Sequence, residues 1–401
     1  MKKRGIAAIC SLAVSGMLWS GVSATVQAAE MTTLTGLVQL NQYLLRETTF
    51  SAEQAAALDW SEDGTCNILD SILLKRALLN EKPVETVTVS TVSELFAAVR
   101  NAQPGTVIQV AAGTYDYTTY EGAQKIDTDA SGTADAPITL TAADPLNPPV
   151  FTGFSPEHGY VLQITGDYWI VEHIQFRNAQ KGVVLDNSNH TILRNCEISD
   201  TGAEAIAIRD GSSYCQILNC SIHDSGLVTP GYGEGVYIGS AYSTSGFDYA
   251  CDYNLVDGCV FKNVAAEHVD VKEYTTGTEI SNCTFYGDGM SGENYAGSFL
   301  DIAGNNCNVH DNVGYRDGNA KIVAAFELHE QVSGWGYDAI FENNTLYLDQ
   351  PYGAVDTSRR MYVVDGWYSR FMVKNNQVDY GSGLRQAERE DYNADDVTML
   401  E

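Results

Sequence analysis

Five segments of the chain alternate apolar and polar residues in the same phase. They span residues 204–209, 234–239, 267–272, 298–303 and 324–329. A period of two is that of a β-strand, whose successive side chains point to opposite faces. When the segments are aligned, one outward position between two apolar ones is occupied by Ala207, Tyr237, Asp270, Asp301 and Glu327. The pattern predicts stacked strands with one column of these side chains on their outer face.

Three carboxylates follow one another in this column. Neighbouring strands lie about 4.8 Å apart, so Asp270, Asp301 and Glu327 would stand close together on one face. Like charges at that spacing require a cation or a bound proton between them. The outward positions beside the column hold further polar side chains, namely Arg209, His268, Lys272 and His329. An ordinary solvated sheet face is the alternative, but such a face usually pairs charges of opposite sign across strands.

Short strands and turn residues continue over most of the chain. Thr91 and Glu94 form a capping box that predicts a helix over 95–101, which would cover the first strands. Similar phrases recur 24 residues apart, from 196 to 220 and from 259 to 283, with a longer spacing between the two pairs. Regular rungs with inserted loops predict an all-β fold, a right-handed parallel β-helix over 91–385, rather than a β-sandwich or propeller. The insertions at 226–252 and 287–297 are expected to wall a cleft.

The cysteines follow the same repeat. Cys196, Cys220, Cys259 and Cys283 occupy one repeat position, which predicts a ladder of buried free thiols rather than disulfides. The ladder lacks the short Cys and His spacings of a zinc site. The pairing of three others stays open, namely Cys215, Cys251 and Cys307.

The first residues have the pattern of a secretory signal peptide. Three basic residues at 2–4 precede an apolar run at 6–22 and a small-residue cleavage site, which predicts a leader over 1–29 and secretion. A membrane anchor is the alternative, but the run lacks a stop-transfer flank. We expect no membrane partner.

Residues 30–82 predict a small helical module with a calcium loop. Gly64 takes the sixth loop position, and oxygen side chains take positions 1, 3, 5, 9 and 12, namely Asp59, Ser61, Asp63, Asn67 and Asp70. With the apolar helix that follows, this loop resembles the second repeat of a dockerin, which implies Ca²⁺ and a cohesin partner. The first repeat lacks its loop, so a helical spacer is the alternative. A linker at 83–90 and an acidic tail at 386–401 complete the predicted organisation.

The net charge of the chain is −29. Loss of Lys2, Lys3 and Arg4 with the leader changes this to −32. So acidic a surface repels nucleic acid and anionic membranes, and neither is an expected partner.

Several segments resemble the β-helix proteins of the pectate lyase-like superfamily. The resemblance covers about 86–380 and rests on residues 233–239, 267–273, 287–292 and 334–336. It implies a lyase that cleaves an acidic polysaccharide, pectate first, by calcium-assisted β-elimination, and we expect a monomer. Asp270, Asp301 and Glu327 would bind Ca²⁺, and Lys272 would remove the proton from C5.

The resemblance also implies supporting roles for other residues of this face. Arg209 is a second candidate base or a clamp for the substrate carboxylate, and His268 is expected to bind substrate. His329 or Tyr237 would assist the leaving group. Two alternatives stay open: a glycoside hydrolase that uses the same acids as acid and base, and a carbohydrate-binding protein without catalysis.

Overall fold

The computed structural model describes residues 34–61, 64–78, 85–120, 125–349, 361–381, 383–393 and 398–400. The predicted signal peptide lies outside these residues. The chain divides into two compact units, Met1–Pro83 and Val84–Glu401. Within the described residues, no helix is long and apolar enough to cross a membrane.

The first unit is helical, as predicted. Its helices are α1 (Leu34–Leu44), α2 (Ala52–Leu58) and α3 (Ile68–Leu78). The side chain of Ser51 caps α2 in a reciprocal capping box with Gln54. Leu40, Leu58 and Leu74, one from each helix, form its buried core.

The second unit begins with the predicted covering helix, α4 (Val92–Arg100). The capping box between Thr91 and Glu94 is present. The apolar face of α4 buries Leu95, Phe96 and Val99 in the core of the second unit. The helix therefore covers apolar side chains at the start of the strand stack.

The strands of this unit form three long sheets in its described residues, numbered here along the chain. Sheet 1 contains β1 (Thr86–Val89), β2 (Val107–Val110), β5 (Ile138–Ala142), β8 (Trp169–Glu172), β11 (Ile192–Arg194), β14 (Gln216–Leu218), β17 (Leu255–Asp257), β20 (Glu279–Ser281), β23 (Asn308–His310), β26 (Tyr337–Glu342), β29 (Arg370–Lys374) and β33 (Thr398–Met399). Sheet 2 contains β3 (Thr114–Asp116), β6 (Val150–Thr152), β9 (Gln175–Ala179), β12 (Glu197–Thr201), β15 (Ser221–His223), β18 (Val260–Lys262), β21 (Thr284–Tyr286), β24 (Val313–Tyr315), β27 (Thr345–Tyr347), β30 (Gln377–Asp379) and β31 (Arg385–Gln386). Sheet 3 contains β4 (Ile126–Thr128), β7 (Tyr160–Ile164), β10 (Lys181–Asp186), β13 (Ile206–Arg209), β16 (Val236–Ile238), β19 (Val269–Val271), β22 (Leu300–Ile302), β25 (Ala324–His329), β28 (Tyr362–Trp367) and β32 (Tyr392–Asn393).

The chain visits the three sheets in turn and forms the predicted right-handed parallel β-helix. From β4 to β27, each strand pairs in parallel with the strand three places further along the chain, as β13 does with β16. One contiguous apolar core runs inside the stack. Asn at the left-handed bends between sheets 1 and 2 recurs at φ near +55°, as at Asn195, Asn219 and Asn282, because Asn tolerates this conformation better than most residues.

Two side-chain ladders line this stack. The thiols of the cysteine ladder are free and buried, as the repeat predicted, and so are Cys215, Cys251 and Cys307. Further along, Asn344 is buried and donates to Val309 O at 3.0 Å and to Asn376 Oδ1 at 2.9 Å. These amides satisfy backbone groups that the bends leave without strand partners.

The ends of the β-helix differ from the predicted boundaries. β1 pairs with β2 over Thr86–Val89, so half of the predicted linker belongs to sheet 1. At the other end, β32 pairs with β28 and β33 pairs with β29, so part of the acidic tail adds to sheets 3 and 1.

Candidate active site

The outer face of sheet 3 carries the predicted column, extended over ten strands. From β4 to β32 the register aligns Asp127, Gln163, Val184, Ala207, Tyr237, Asp270, Asp301, Glu327, Asp365 and Asn393. Asp270 stands beside Asp301, and Asp301 stands beside Glu327, as the alternation predicts. Tyr237 lies at the boundary between small apolar residues on one side and a row of carboxylates on the other.

The predicted insertions flank the middle of this face. At the amino-terminal ends of the strands, segments 226–233 and 287–297 meet where Asn294 Nδ2 donates to Gly231 O at 3.0 Å. At the carboxyl ends, segments 240–254, 272–278 and 330–336 follow β16, β19 and β25. We call the face of sheet 3 between these two sets of segments the cleft.

Lys272, Asp270 and Tyr237 form one contact group on the cleft floor. Lys272 Nζ lies 2.6 Å from Asp270 Oδ2 and 5.3 Å from the centre of the Tyr237 ring. The backbone N–H of Ala241 donates to the phenolic oxygen of Tyr237 at 3.1 Å. Burial favours the neutral amine, but Asp270 and Asp301 outweigh it and raise the pKa of Lys272 well above its usual value. Lys272 is therefore protonated at neutral pH.

A group of three buried carboxylates lies beside this contact. Glu234, Glu267 and Asp270 each have an oxygen within 4.8 Å of the other two. Their exposed fractions are 4%, 7% and 2%. Among the described residues, Glu234 Oε2 and Asp270 Oδ1 have no hydrogen-bond partner. Unpartnered buried carboxylate oxygens are costly unless a proton or a cation occupies the space between them.

The pKa values of this group are displaced in the direction that such crowding produces. Burial, reinforced by Asp270 and Glu204, raises the pKa of Glu234 to about 8. Burial also raises the pKa of Glu267, which Asp301 and Asp270 raise further. The pKa of Asp270 rises to about 6, again through burial, although Lys272 opposes the rise.

Glu234 and Glu267 are not among the predicted metal ligands, although the repeat contains a signal for both. Glu204, Glu234 and Glu267 open three consecutive aligned segments. Lys181 forms an ion pair with Glu204, so this carboxylate is already neutralised by a side chain. Among the described residues, no lysine forms an ion pair with either of the other two, and both have a carboxylate oxygen within 4.8 Å of one on Asp270. All-oxygen donor sets of this kind suit hard divalent cations.

The other two predicted metal ligands continue the row beyond Asp270. Asp301 Oδ1 lies 3.2 Å from His329 Nδ1. Burial, together with Asp301 and Asp365, raises the pKa of Glu327 to about 8. Asp270 thus joins the two glutamates in the three-carboxylate group, while Asp301 and Glu327 form a second stretch of acidic floor. His329 lies two strands beyond Lys272, about 10 Å at the spacing of neighbouring strands.

The structure places His268, which was predicted to bind substrate, in the core and not on the cleft face. His268 is fully buried in the core, with its ring centre 5.4 to 5.6 Å from those of Phe261, Phe285 and Phe299. Its Nε2 lies 2.9 Å from Tyr286 O, and burial lowers its pKa to about 4. At the bend into β19, His268 and Val269 both face inward, so the strict alternation assumed for this segment fails there.

Arg209 is held by neighbouring side chains. Its Nε and Nη2 each donate to Asp186 at 3.0 Å. Its guanidinium also lies over the rings of Tyr160 and Phe247, at 5.9 and 5.2 Å from their centres. A paired guanidinium stays protonated, which argues against Arg209 as the base.

The predicted calcium loop of the first unit is partly described. Gly64 N donates to Asp59 Oδ2 at 2.8 Å, and Ser61 N donates to Asp70 Oδ1 at 2.8 Å. Asp70 is fully buried, and its second oxygen accepts from Asn67 N at 2.7 Å. Asp63 lies outside the described residues. Backbone N–H groups of the loop thus donate to the carboxylates at its first and last predicted positions.

Comparison with known proteins agrees with this architecture. A family model described as "Pel9A-like, right handed beta helix region" matches residues 80–234, and one described as "Right handed beta helix region" matches residues 160–346. Among curated proteins, no relative matches the sequence.

Solved structures include more similar proteins. An alginate lyase from Paenibacillus sp. str. FPU-7 is 41% identical, with 75% of this chain and 97% of that one covered and a TM-score of 0.69. Pectate lyase Pel9A is 19% identical, with 75% and 73% covered and a TM-score of 0.52. A GH136 lacto-N-biosidase from Eubacterium ramulus is 12% identical, with 91% and 79% covered and a TM-score of 0.51. Pectate lyase Pel9A and the lacto-N-biosidase share the fold with this chain. The alginate lyase is also similar in sequence, over nearly the whole length of the alginate lyase. The chain therefore belongs to the same family as this lyase, and it is a polysaccharide lyase built on a right-handed parallel β-helix.

Proposed function

We propose that the protein cleaves alginate, or a closely similar polyuronate, by cation-assisted β-elimination in the cleft. The contact between Lys272, Tyr237 and Asp270, next to the buried carboxylates, is the observation that carries this proposal. Pectate is the first substrate that the sequence predicts. The 41% identity to an alginate lyase over 97% of that chain moves alginate ahead of it.

In this reaction a base removes the proton from C5 of a uronate. The electron pair forms the C4=C5 double bond, the bond from C4 to the glycosidic oxygen breaks, and that oxygen takes up a proton. Two proton-transfer groups on one side of the sugar are sufficient for these steps. Lys272 and Tyr237 are such a pair.

Lys272 is better suited to give a proton than to take one. Asp270 at 2.6 Å and Asp301 keep its ammonium form stable. We therefore assign Lys272 as the acid that protonates the leaving glycosidic oxygen, in place of the base role that the resemblance implies.

Tyr237 is then the base. Burial and the charge of Asp270 raise the pKa of Tyr237, and the ammonium of Lys272 and the N–H of Ala241 oppose that rise. When the charge of Asp270 is neutralised, the pKa of Tyr237 is raised less, and the phenolate that acts as the base forms more readily. His329 is two strands away and is paired with Asp301, so it is a weaker candidate for the base.

The residues around Asp270 fit a bound divalent cation. Glu234, Glu267 and Asp270 supply carboxylate oxygens within 4.8 Å of one another, two of them unpartnered among the described residues. A cation there would neutralise these carboxylates and attract the uronate carboxylate of the substrate. Ca²⁺ is the ion implied by the family resemblance, with Mg²⁺ and Mn²⁺ as comparators that accept the same ligands.

A substrate panel tests the proposal. The purified full-length protein is incubated with alginate, polygalacturonate or hyaluronan, each with chelator, Ca²⁺, Mg²⁺ or Mn²⁺. We expect ultraviolet absorbance from the unsaturated uronide with alginate and an added cation. New reducing ends without that absorbance would instead mean hydrolysis, and binding without cleavage would mean a carbohydrate-binding protein.

We propose further that the protein is a secreted monomer and that its first unit binds Ca²⁺ through Asp59, Ser61, Asn67 and Asp70. The hydrogen bonds from Gly64 and Ser61 to the two acidic ends of the loop support the calcium site. A cohesin is the partner that the dockerin resemblance predicts. Calorimetric titration of cohesins into the full-length protein, with Ca²⁺ or chelator, tests that partner.

A further inference from the structure

Three aromatic side chains form one cluster on the wall of the cleft. The ring centres of Tyr249 and Tyr274 are 5.4 Å apart, and those of Tyr274 and Trp335 are also 5.4 Å apart. The three rings belong to the segments that follow β16, β19 and β25. All three therefore lie at the carboxyl edge of sheet 3, and Tyr274 is two residues beyond Lys272.

The backbone holds these rings in place at some conformational cost. Tyr274 has φ +68°, a left-handed conformation that a bulky residue rarely adopts. Gly336, at φ +80°, turns so tightly that a Cβ there would lie 2.2 Å from His329 O. The turn that carries Trp335 is closed by two hydrogen bonds, from Trp335 N to Val332 O and from Gly334 N to Glu330 Oε1. Strained and braced loop residues of this kind are frequent at ligand sites.

The cluster serves no evident packing purpose. None of the three rings belongs to the apolar core formed by the described residues, and each is only partly buried. Tyr274 and Trp335 meet at 60°, edge to face. This geometry leaves both faces of the edge-on ring uncovered by its partner. By contrast, Tyr315 and Tyr347 on sheet 2 stack within 4° of parallel and cover each other.

We infer that Tyr274 and Trp335 bind the pyranose ring of a uronate next to the one that reacts at Lys272 and Tyr237. The inference rests on the proposed function. Aromatic faces offer broad contact to the C–H face of a sugar at little cost in side-chain entropy. These rings also carry no formal charge, whereas the column beyond Lys272 continues with Asp301 and Glu327. The rings thus offer a polyanionic chain an uncharged contact surface next to the carboxylates of Asp301 and Glu327.

The position of Trp335 fixes which side of the reacting sugar is bound. Its segment follows β25, two strands beyond the β19 that precedes Lys272. The bound sugar therefore lies toward β25, on the acidic half of the cleft, and not toward Arg209 and β13. A contact made equally in the ground state and the transition state contributes to KM and not to kcat, so its loss should weaken binding of longer chains more than it slows the chemical step.

The test compares Trp335→Ala and Tyr274→Ala with Tyr347→Ala, a stacked tyrosine on sheet 2 that serves as the matched control. Steady-state kinetics are measured on alginate and on short mannuronate oligosaccharides, and circular dichroism checks the fold. We expect both cleft variants to raise KM for alginate about five- to tenfold, with kcat changed less than about twofold. The control stays at the wild-type KM, and Trp335→Phe recovers most of the loss.

Two outcomes separate this inference from the proposed function. If the folded Trp335→Ala and Tyr274→Ala proteins keep the wild-type KM, the aromatic site is wrong although the lyase activity stands. If the wild type cleaves none of the polyuronates, the proposed function fails, and tryptophan fluorescence decides about the aromatic site. Quenching of the wild type by mannuronate oligosaccharides that is lost in Trp335→Ala supports the site, and absence of quenching overturns it.

Discussion

Lys272 Nζ and Asp270 Oδ2 lie 2.6 Å apart on the floor of the cleft. The two residues are two positions apart at the end of one strand, so their side chains share a face. The contact joins two parts of the site. Asp270 belongs to the three-carboxylate group with Glu234 and Glu267, and Lys272 lies over the ring of Tyr237. Any change in the charge of Asp270 therefore alters the pKa values of both proposed proton-transfer groups.

Removing either proton-transfer group should slow the chemical step. We expect Lys272→Ala and Tyr237→Phe each to lower kcat on alginate about 10²- to 10⁴-fold with little change in thermal stability, since general acid–base groups contribute that much. His329→Ala, two strands away, should lose less than about tenfold. A fall for His329→Ala as large as that for Lys272→Ala would reverse the assignment.

The carboxylate group should make activity depend on a cation. Chelation is expected to abolish cleavage, and Ca²⁺ at about 100 times its Kd should stabilise the folded state by about 2.7 kcal/mol. Glu234→Gln keeps the shape of the side chain but removes its charge, so it should remove both effects. Glu279→Gln, on an exposed position of sheet 1, is the matched control.

Calcium stoichiometry distinguishes the cleft from the loop of the first unit. In equilibrium dialysis, Glu234→Gln and Asp70→Asn should each lose about one equivalent of bound Ca²⁺. Only Glu234→Gln should also lose the cation dependence of catalysis. If Asp70→Asn binds as much Ca²⁺ as the wild type, the calcium site proposed for residues 59–70 does not exist.

His268 should be dispensable for catalysis. Because its ring packs among Phe261, Phe285 and Phe299 in the core, His268→Phe preserves an aromatic filling while it removes the bond to Tyr286 O. We expect kcat/KM within about threefold of the wild type, since the change does not touch the cleft. A loss comparable to that of Lys272→Ala, in a folded protein, would return His268 to the substrate site.

The buried asparagine ladder should be a major source of stability. Asn344 Oδ1 accepts from the backbone and side chain of Asn312, and its Nδ2 donates to Val309 O. Asn344→Ala leaves these groups unpaired in the core, at a cost of about 2–4 kcal/mol. Thermal unfolding should show a clearly lower midpoint than for Asn147→Ala, an exposed control. Equal midpoints would mean that water or rearrangement replaces the ladder.

The seven cysteines of the β-helix unit should be unreactive in the folded protein. All seven are buried and free, and burial raises the pKa of Cys215, Cys251 and Cys307 to about 12. A thiol reacts as its thiolate, so a thiol reagent should modify them only after denaturation. Rapid modification of the native protein, mapped to these residues by mass spectrometry, would contradict their burial.

The alternation of the chain was sufficient for the fold and for the cleft column. In a strand, every second side chain points to the same face. Asp270, Asp301 and Glu327 therefore align as the pattern predicts. The capping box at Thr91 and the recurring cysteines likewise depend on local geometry and on repeat position, both visible in the sequence.

The same reasoning failed where the chain bends. At the start of β19, His268 and Val269 both face the core, and the preceding Glu267 lies beside Asp270. The sequence by itself determined which side chains share a face, because that follows from strand geometry. Only the tertiary structure decided that Glu234 and Glu267 meet Asp270, and that Asp270 in turn keeps Lys272 protonated. Those relations depend on the bends and on burial, which bring residues of different rungs together in a region that excludes water.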